Sequence, residues 1–349
     1  MSDEVVAVIL MFGITAYALF GGADFGAGIW DLVAGGAKRG ARPRAVIAHS
    51  IGPVWEANHV WLIFCLVVLW TGFPEAFESI TLTLFVPLAL AALGIVLRGS
   101  SFAFRKEVTR VSSERNFGAA FAASSVLVPF CMGAVAGAIA SGQVPAGGKA
   151  GDPWSSWTNP TSILGGVLAV VVCAFLASVY LVWDARRVDD ATMAEYFRRR
   201  AVAASVVAGV VAGVGLFILH DYANYVFDGL MSRALPLVII SALCGIGTLV
   251  LLARDAHRWA RVLAMGAVAT IVASWGVAQW PYILPTTLKV SDAAAPSGTL
   301  WTIIVVFIVA AIVILPSLGL LYVLDQKSLV SADEGAFPGT EPNPAESSA

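Results

Sequence analysis

Three stretches of the sequence place ionisable side chains among apolar neighbours, and these are the candidates for chemistry. The densest is HSIGPVWEANHVWLI. His49 and Glu56 are seven residues apart and share one helical face, His59 follows Glu56 by three, and Trp55 and Asn58 form a neighbouring stripe. Desolvation disfavours a charged carboxylate in such surroundings, so Glu56 can take up and release protons near neutral pH. It could equally be a neutral, hydrogen-bonded acid that joins helices. His59 reads as a proton-path or hydrogen-bonding group rather than a haem or metal ligand, because the chain offers no second well-placed ligand. Pro53 should bend this helix just before Glu56.

The second stretch is LFGGADFGAGIWDL, where Tyr17, Asp24 and Asp31 recur every seven residues on one face, and Gly22 and Gly26 form a small-xxx-small pair suited to close helix packing. The third is LRGSSFAFRKE, with Arg98 and Arg105 on one face. By depth, Arg98 could pair with Asp24 or with Glu56. An ionisable group inside a membrane span costs roughly 2.5–3.5 kcal/mol, so each of these is a functional candidate by default. The plain alternative is an Asp24–Arg98 ion pair that only holds helices together. His220, Asp221 and His257 fall at predicted span ends and read as solvated, and the two prolines of WPYILPTTL read as a rigid turn.

The elements that must position these residues follow from composition. Of 349 residues, 58% are hydrophobic and only 13% are Asp, Glu, Lys or Arg, with mean hydropathy +0.83. A soluble domain is about 25% charged. So few polar side chains cannot cover a globule of this size, which excludes a cytosolic enzyme, a nucleic-acid binder and a disordered regulator. A bilayer core needs about 20 apolar residues in a helix. Nine such runs occur, at approximately 5–34, 44–71, 76–103, 115–142, 160–184, 200–220, 230–253, 258–280 and 299–324. They group as four, four and one around the polar loop at 143–159. The expected fold is therefore an all-α integral membrane protein of nine transmembrane helices: two four-helix bundles plus one peripheral helix, spanning residues 1–325. Residues 326–349, acidic and rich in small residues and Pro, should be a disordered tail.

Of the 21 Lys and Arg, all but Lys149, Arg233 and Lys289 fall on one set of alternate loops and flanks. Basic residues favour the cytoplasmic side, so the N-terminus should lie outside and the C-terminus and its tail inside. The N-terminus lacks a basic n-region and a cleavage site, so its apolar run reads as a retained helix rather than a signal peptide. The four cysteines are scattered through apolar runs without CxxC or Cys/His spacing, and read as small buried hydrophobes rather than a disulfide or zinc framework. No phosphate loop, GxGxxG after a strand, HExxH or serine-nucleophile motif occurs.

At GADFGAGIWDL, IGPVWEANHVWLI, LRGSSFAFR and WPYILPTTL the sequence resembles subunit II of the cytochrome bd quinol oxidases, over about residues 5–325. The resemblance implies a non-haem subunit of the bacterial cytoplasmic membrane. Such a subunit pairs with a subunit I of homologous fold, which carries haem b, haem d and the quinol site. A small accessory subunit and a structural quinone are further partners the family allows. It implies oxidation of quinol, reduction of dioxygen to water, and proton uptake from the cytoplasm along a route to which subunit II contributes acids. Glu56 matches the family's helix-two carboxylate, Trp55, Asn58 and Trp61 its neighbours, Asp24 the second acid of the helix-one motif, and Arg98 an arginine ending helix three. The expected proton path is thus Glu56, Asp24, His59 and His49, supported by a polar cluster of Trp55, Asn58, Trp61 and Arg98, with no metal or cofactor held by this chain. Two departures stand out: Gly21 occupies the place of the family's first helix-one acid, and WEANH replaces W-D-G-N-[QE]. Two other readings suit the same residues, a proton-coupled secondary transporter and a purely structural membrane partner.

Overall fold

The computed structural model describes residues 1–105, 111–254 and 256–326. The side chains of His49, Trp55, Glu56 and His257 lie outside the described residues, as does the tail from Lys327 onward. The chain is almost wholly helical, as the apolar runs require. The helices are α1 (Ser2–Leu32), α2 (Ala37–Gly72), α3 (Pro74–Thr83), α4 (Phe85–Arg105), α5 (Val111–Ala140), α6 (Ser155–Thr158), α7 (Pro160–Arg187), α8 (Ala191–Tyr222), α9 (Asn224–Met231), α10 (Leu235–Ala253) and α11 (His257–Gln279). A two-stranded antiparallel hairpin follows, β1 (Tyr282–Leu284) and β2 (Leu288–Lys289), then α12 (Val290–Ala293) and α13 (Ser297–Gln326).

Among the described residues, seven helices are long and apolar enough to cross a membrane, and α2 with α3 forms an eighth candidate bent by 116°. The bend falls in the gap between the runs expected at 44–71 and 76–103. The chain breaks first at Phe73, before the run at 76–103, and again at Leu84 inside it, giving the short α3 and the separate α4. Pro74 explains the first break: it opens α3 at its first position, where a missing N–H costs nothing, and could not continue α2. The run at 230–253 is likewise interrupted, between α9 and α10, with Pro236 in the first turn of α10. The run at 200–220 extends back to Ala191, because Asp190 caps α8 by accepting from the Met193 N–H at 3.0 Å. Asn159 caps α7 in the same way, accepting from Ser162 N–H ahead of Pro160.

The order of elements from α1 to α5 repeats from α7 to α11. In each half a long helix is followed by a second one, a single non-helical residue, a short helix and two more helices. The breaking residues match in conformation: Phe73 at φ −137°, ψ 63° and Ala223 at φ −147°, ψ 53°. Each donates its N–H to the carbonyl four residues back, Leu69 and Leu219. The packing repeats as well. α1 lies on α2 as α7 lies on α8, α4 on α5 as α10 on α11, and α5 meets α7 as α11 meets α1. α1 and α7 pack on each other along the shared seam. There a methyl group at Gly26 would overlap the Cys173 carbonyl, and Gly22 lies against Leu176. The core includes Phe175, Leu176, Leu181, Phe197 and Leu252.

Residues from Trp301 form a second unit. It holds the greater part of α13, a helix apolar on all sides with Pro316 in its interior.

Candidate functional site

Asp24 stands in the C-terminal half of α1 beside the glycines that draw α7 close, and is 1% exposed. Arg98, in α4, is also 1% exposed and is the largest fully buried side chain among the described residues. Its Nη2 donates to Asp24 Oδ1 at 2.6 Å and to the Asp24 carbonyl at 2.8 Å, and its Nη1 donates to Ser125 Oγ of α5. The second carboxylate oxygen accepts from Asn58 Nδ2 of α2 at 3.1 Å. Four helices therefore converge on one ion pair. The guanidinium also stands 5.0 Å from the Phe25 ring and 4.2 Å from the Phe121 ring, so aromatic faces supply further favourable charge contacts.

The arrangement follows from the cost of burial. An isolated charge at this depth is untenable, and a buried pair is stabilised by further hydrogen bonds to its remaining donors and acceptors. Gly28 makes the approach possible: a Cβ there would fall on Ser125 Oγ and 2.8 Å from Arg98 Nη1. Beside the pair, Tyr17 OH, Asn58 Oδ1 and Arg98 Nε are buried with no hydrogen-bond partner among the described residues. At Gly21, a Cβ would lie 2.8 Å from Asn58 Oδ1 and 3.5 Å from the Tyr17 ring. Gly21 thus adjoins Asn58 directly.

The sequence left two partners open for Arg98, and the structure pairs it with Asp24. Asp31, one face-repeat further along α1, is held by Arg44 of α2 at 2.7 Å and belongs to a separate, basic end of the molecule. Trp61 does not enter the polar group. Its ring packs edge-on against Phe12 and Phe64, with centroids at 5.5 and 5.8 Å, and stacks on Phe20 at 6.3 Å. Those rings lie on α1 and on α2 itself, so Trp61 serves the α1–α2 contact. His59 is half-buried on α2. Glu56 lies on the same helical backbone two positions before Asn58, and its side chain, with those of Trp55 and His49, is outside the described residues. Ser125 is the member sequence reading missed. A serine in an apolar run carries no ionisation signal, and only the side chain that reaches it reveals its part. His220 lies exposed beside Asp221, at 3.0 Å, at the end of α8. Among the described residues no three His, Cys, Asp or Glu groups gather as metal ligands would.

Comparison with known proteins gives a consistent result. The sequence model of the family "Cytochrome bd terminal oxidase subunit II" matches residues 2–325. The chain is 23% identical over 269 residues to the cytochrome bd ubiquinol oxidase subunit 2 of Bacillus subtilis, covering 76% of this chain and 77% of that protein. It is 24% identical over 330 residues to the cytochrome bd-I ubiquinol oxidase subunit 2 of Escherichia coli K12, covering 84% and 82%. A chain of the bd oxidase from Geobacillus thermodenitrificans superposes with a TM-score of 0.79 at 25% identity, over 93% of this chain and 98% of that one.

Proposed function

Because the chain belongs to the cytochrome bd terminal oxidase subunit II family, we propose that it is the haem-free scaffold subunit of a quinol-oxidising, dioxygen-reducing complex and carries protons toward the partner's reaction site. The family places it in the bacterial inner membrane as a multi-pass subunit of a terminal oxidase. The finer reading has nine spans, two four-helix bundles and a peripheral helix, with the N-terminus outside and the basic end in the cytoplasm. The repeated α1–α5 and α7–α11 order supports it, as does the 21-residue α4. In this reading the haems and the quinol site belong to a subunit I of related fold.

The observation that carries the proton assignment is the saturation of Asp24. Both its oxygens already accept, from Arg98 and from Asn58, and neither it nor Arg98 meets solvent. A relay must exchange protons with mobile neighbours. Asp24 is therefore the anchor that holds Arg98 and three helices, and the relay falls to Glu56, with His59 and His49 of α2 on the same route. In this reading the Glu56 carboxyl loads from the cytoplasm and discharges as negative charge accumulates at the buried reaction centre.

The test is Glu56→Gln in the purified complex. Oxidase turnover should drop while complex yield and the partner's haem spectrum stay as in wild type. Undiminished turnover overturns the relay, and a loss of yield with normal turnover per complex identifies a purely structural acid.

A further inference from the structure

The basic end of α8 carries a cavity outside the Asp24–Arg98 group. Its volume is about 310 Å³ and it is lined by Thr192, Met193, Glu195, Tyr196, Arg199 and Arg200. The single carboxylate there is already engaged: Glu195 accepts from Arg198 Nε at 2.6 Å and from Arg199 Nε at 2.8 Å. The three consecutive arginines thus exceed it in charge, and it tethers Arg198 and Arg199. Arg200 is fixed separately. Its guanidinium carbon lies 3.4 Å from the Tyr196 ring centroid and 5.9 Å from that of Trp30, and its Nη1 donates to the Tyr196 carbonyl at 3.2 Å. Guanidinium groups already ordered lose little freedom on binding, and their planar donor fork matches a phosphate.

The position of the cavity says which anion. Ala201–Leu219, immediately after Arg200, contains no ionisable residue, so the arginines stand where the apolar segment meets the polar end, at headgroup depth. The face of α8 that bears Arg199 continues along the helix through Val206, Val210 and Phe217, which are 51%, 60% and 76% exposed. A charged pocket at the head of an exposed apolar stripe is the complement of an amphiphile, not of a free ion.

We propose that Arg199 and Arg200, with Tyr196 and Thr192, form a site for the headgroup of an anionic phospholipid, whose acyl chain lies along the Val206–Val210–Phe217 face of α8.

The experiment is native mass spectrometry of the complex purified from its own membranes, delipidated and titrated with phosphatidylglycerol, phosphatidylcholine or inorganic phosphate. Wild-type complex should bind phosphatidylglycerol roughly tenfold or more tightly than does R199Q/R200Q, while phosphatidylcholine binds both alike. R199K/R200K should recover part of the difference, since charge survives and the fork does not. If the double glutamine variant fails to assemble, Arg199→Gln alone is decisive, because that side chain is 78% exposed and removing it leaves the fold intact. Equal phosphatidylglycerol binding by wild type and variant overturns the site. Displacement of the lipid by millimolar inorganic phosphate reassigns it to a free anion and overturns the lipid. Loss of a co-purifying polypeptide in the variant, with lipid unchanged, makes it a protein contact and overturns it as well.

Discussion

Arg98 of α4 reaches across to α1 and ends 2.6 Å from Asp24, with the two side chains 1% and 0% exposed. No other pair of side chains in the described residues is both ionised by type and so completely enclosed. Its consequences differ from those of the ion pairs at the surface, and the difference is measurable.

Removing one partner of a buried pair strands the other charge, at a cost of about 3–5 kcal/mol, whereas removing both can be nearly neutral. Arg98→Gln and Asp24→Asn should each lower the thermal midpoint and yield of the complex severely, and the double variant should recover much of the loss. Arg42 pairs with Asp190 at 2.8 Å but is 61% exposed, so Arg42→Gln should cost about 1 kcal/mol or less. Additive losses in the Asp24/Arg98 cycle would show that the two residues do not act as a pair.

The α1–α7 seam admits no side chain at Gly26, where a Cβ would meet the Cys173 carbonyl and lie 2.6 Å from Ala177 Cβ. Backbone on both sides cannot yield as a side-chain tip would. Gly26→Ala should separate α1 from α7 and cost about 1–3 kcal/mol or more, read as reduced midpoint and yield. At Gly245 of α10 a Cβ would meet nothing within 4 Å, so Gly245→Ala should be neutral or slightly stabilising. Equal effects of the two substitutions would contradict the close approach.

Asn58 is 2% exposed and donates to the oxygen of Asp24 that Arg98 leaves free. Asn58→Asp replaces that donor with a second carboxyl, which must be protonated in the assembled protein to face Asp24. The variant should lose midpoint progressively from acid toward neutral pH. Asn58→Leu, which removes the donor without adding an acid, should lose a fixed amount at every pH. A flat profile for Asn58→Asp would place the carboxyl away from Asp24.

Much of this protein is written locally. The apolar runs specify helices and membrane, because backbone groups in lipid must be satisfied within a segment. The scarcity of ionisable residues in those runs singled out Asp24, Glu56 and Arg98, and short-range chemistry set helix starts at Asn159–Pro160 and Asp190.

What the sequence could not decide depends on residues far apart in the chain. Hydropathy over 76–103 sees one apolar stretch, since α3 and α4 are both apolar and the helix break at Leu84 alters no side-chain polarity. The likeness of the α1–α5 and α7–α11 halves resides in backbone geometry at Phe73 and Ala223, two residues with no chemistry in common. Trp61 was grouped with its polar neighbours in sequence, but its helical position turns it onto Phe12 and Phe20. Depth alone allowed Arg98 two acids; α4 and α5 carry it to Asp24, and Ser125 joins because α5 passes there. A charge can be located from its own segment, but its partner is fixed only when packing brings another helix within reach, because a buried charge is stable only where such a partner arrives.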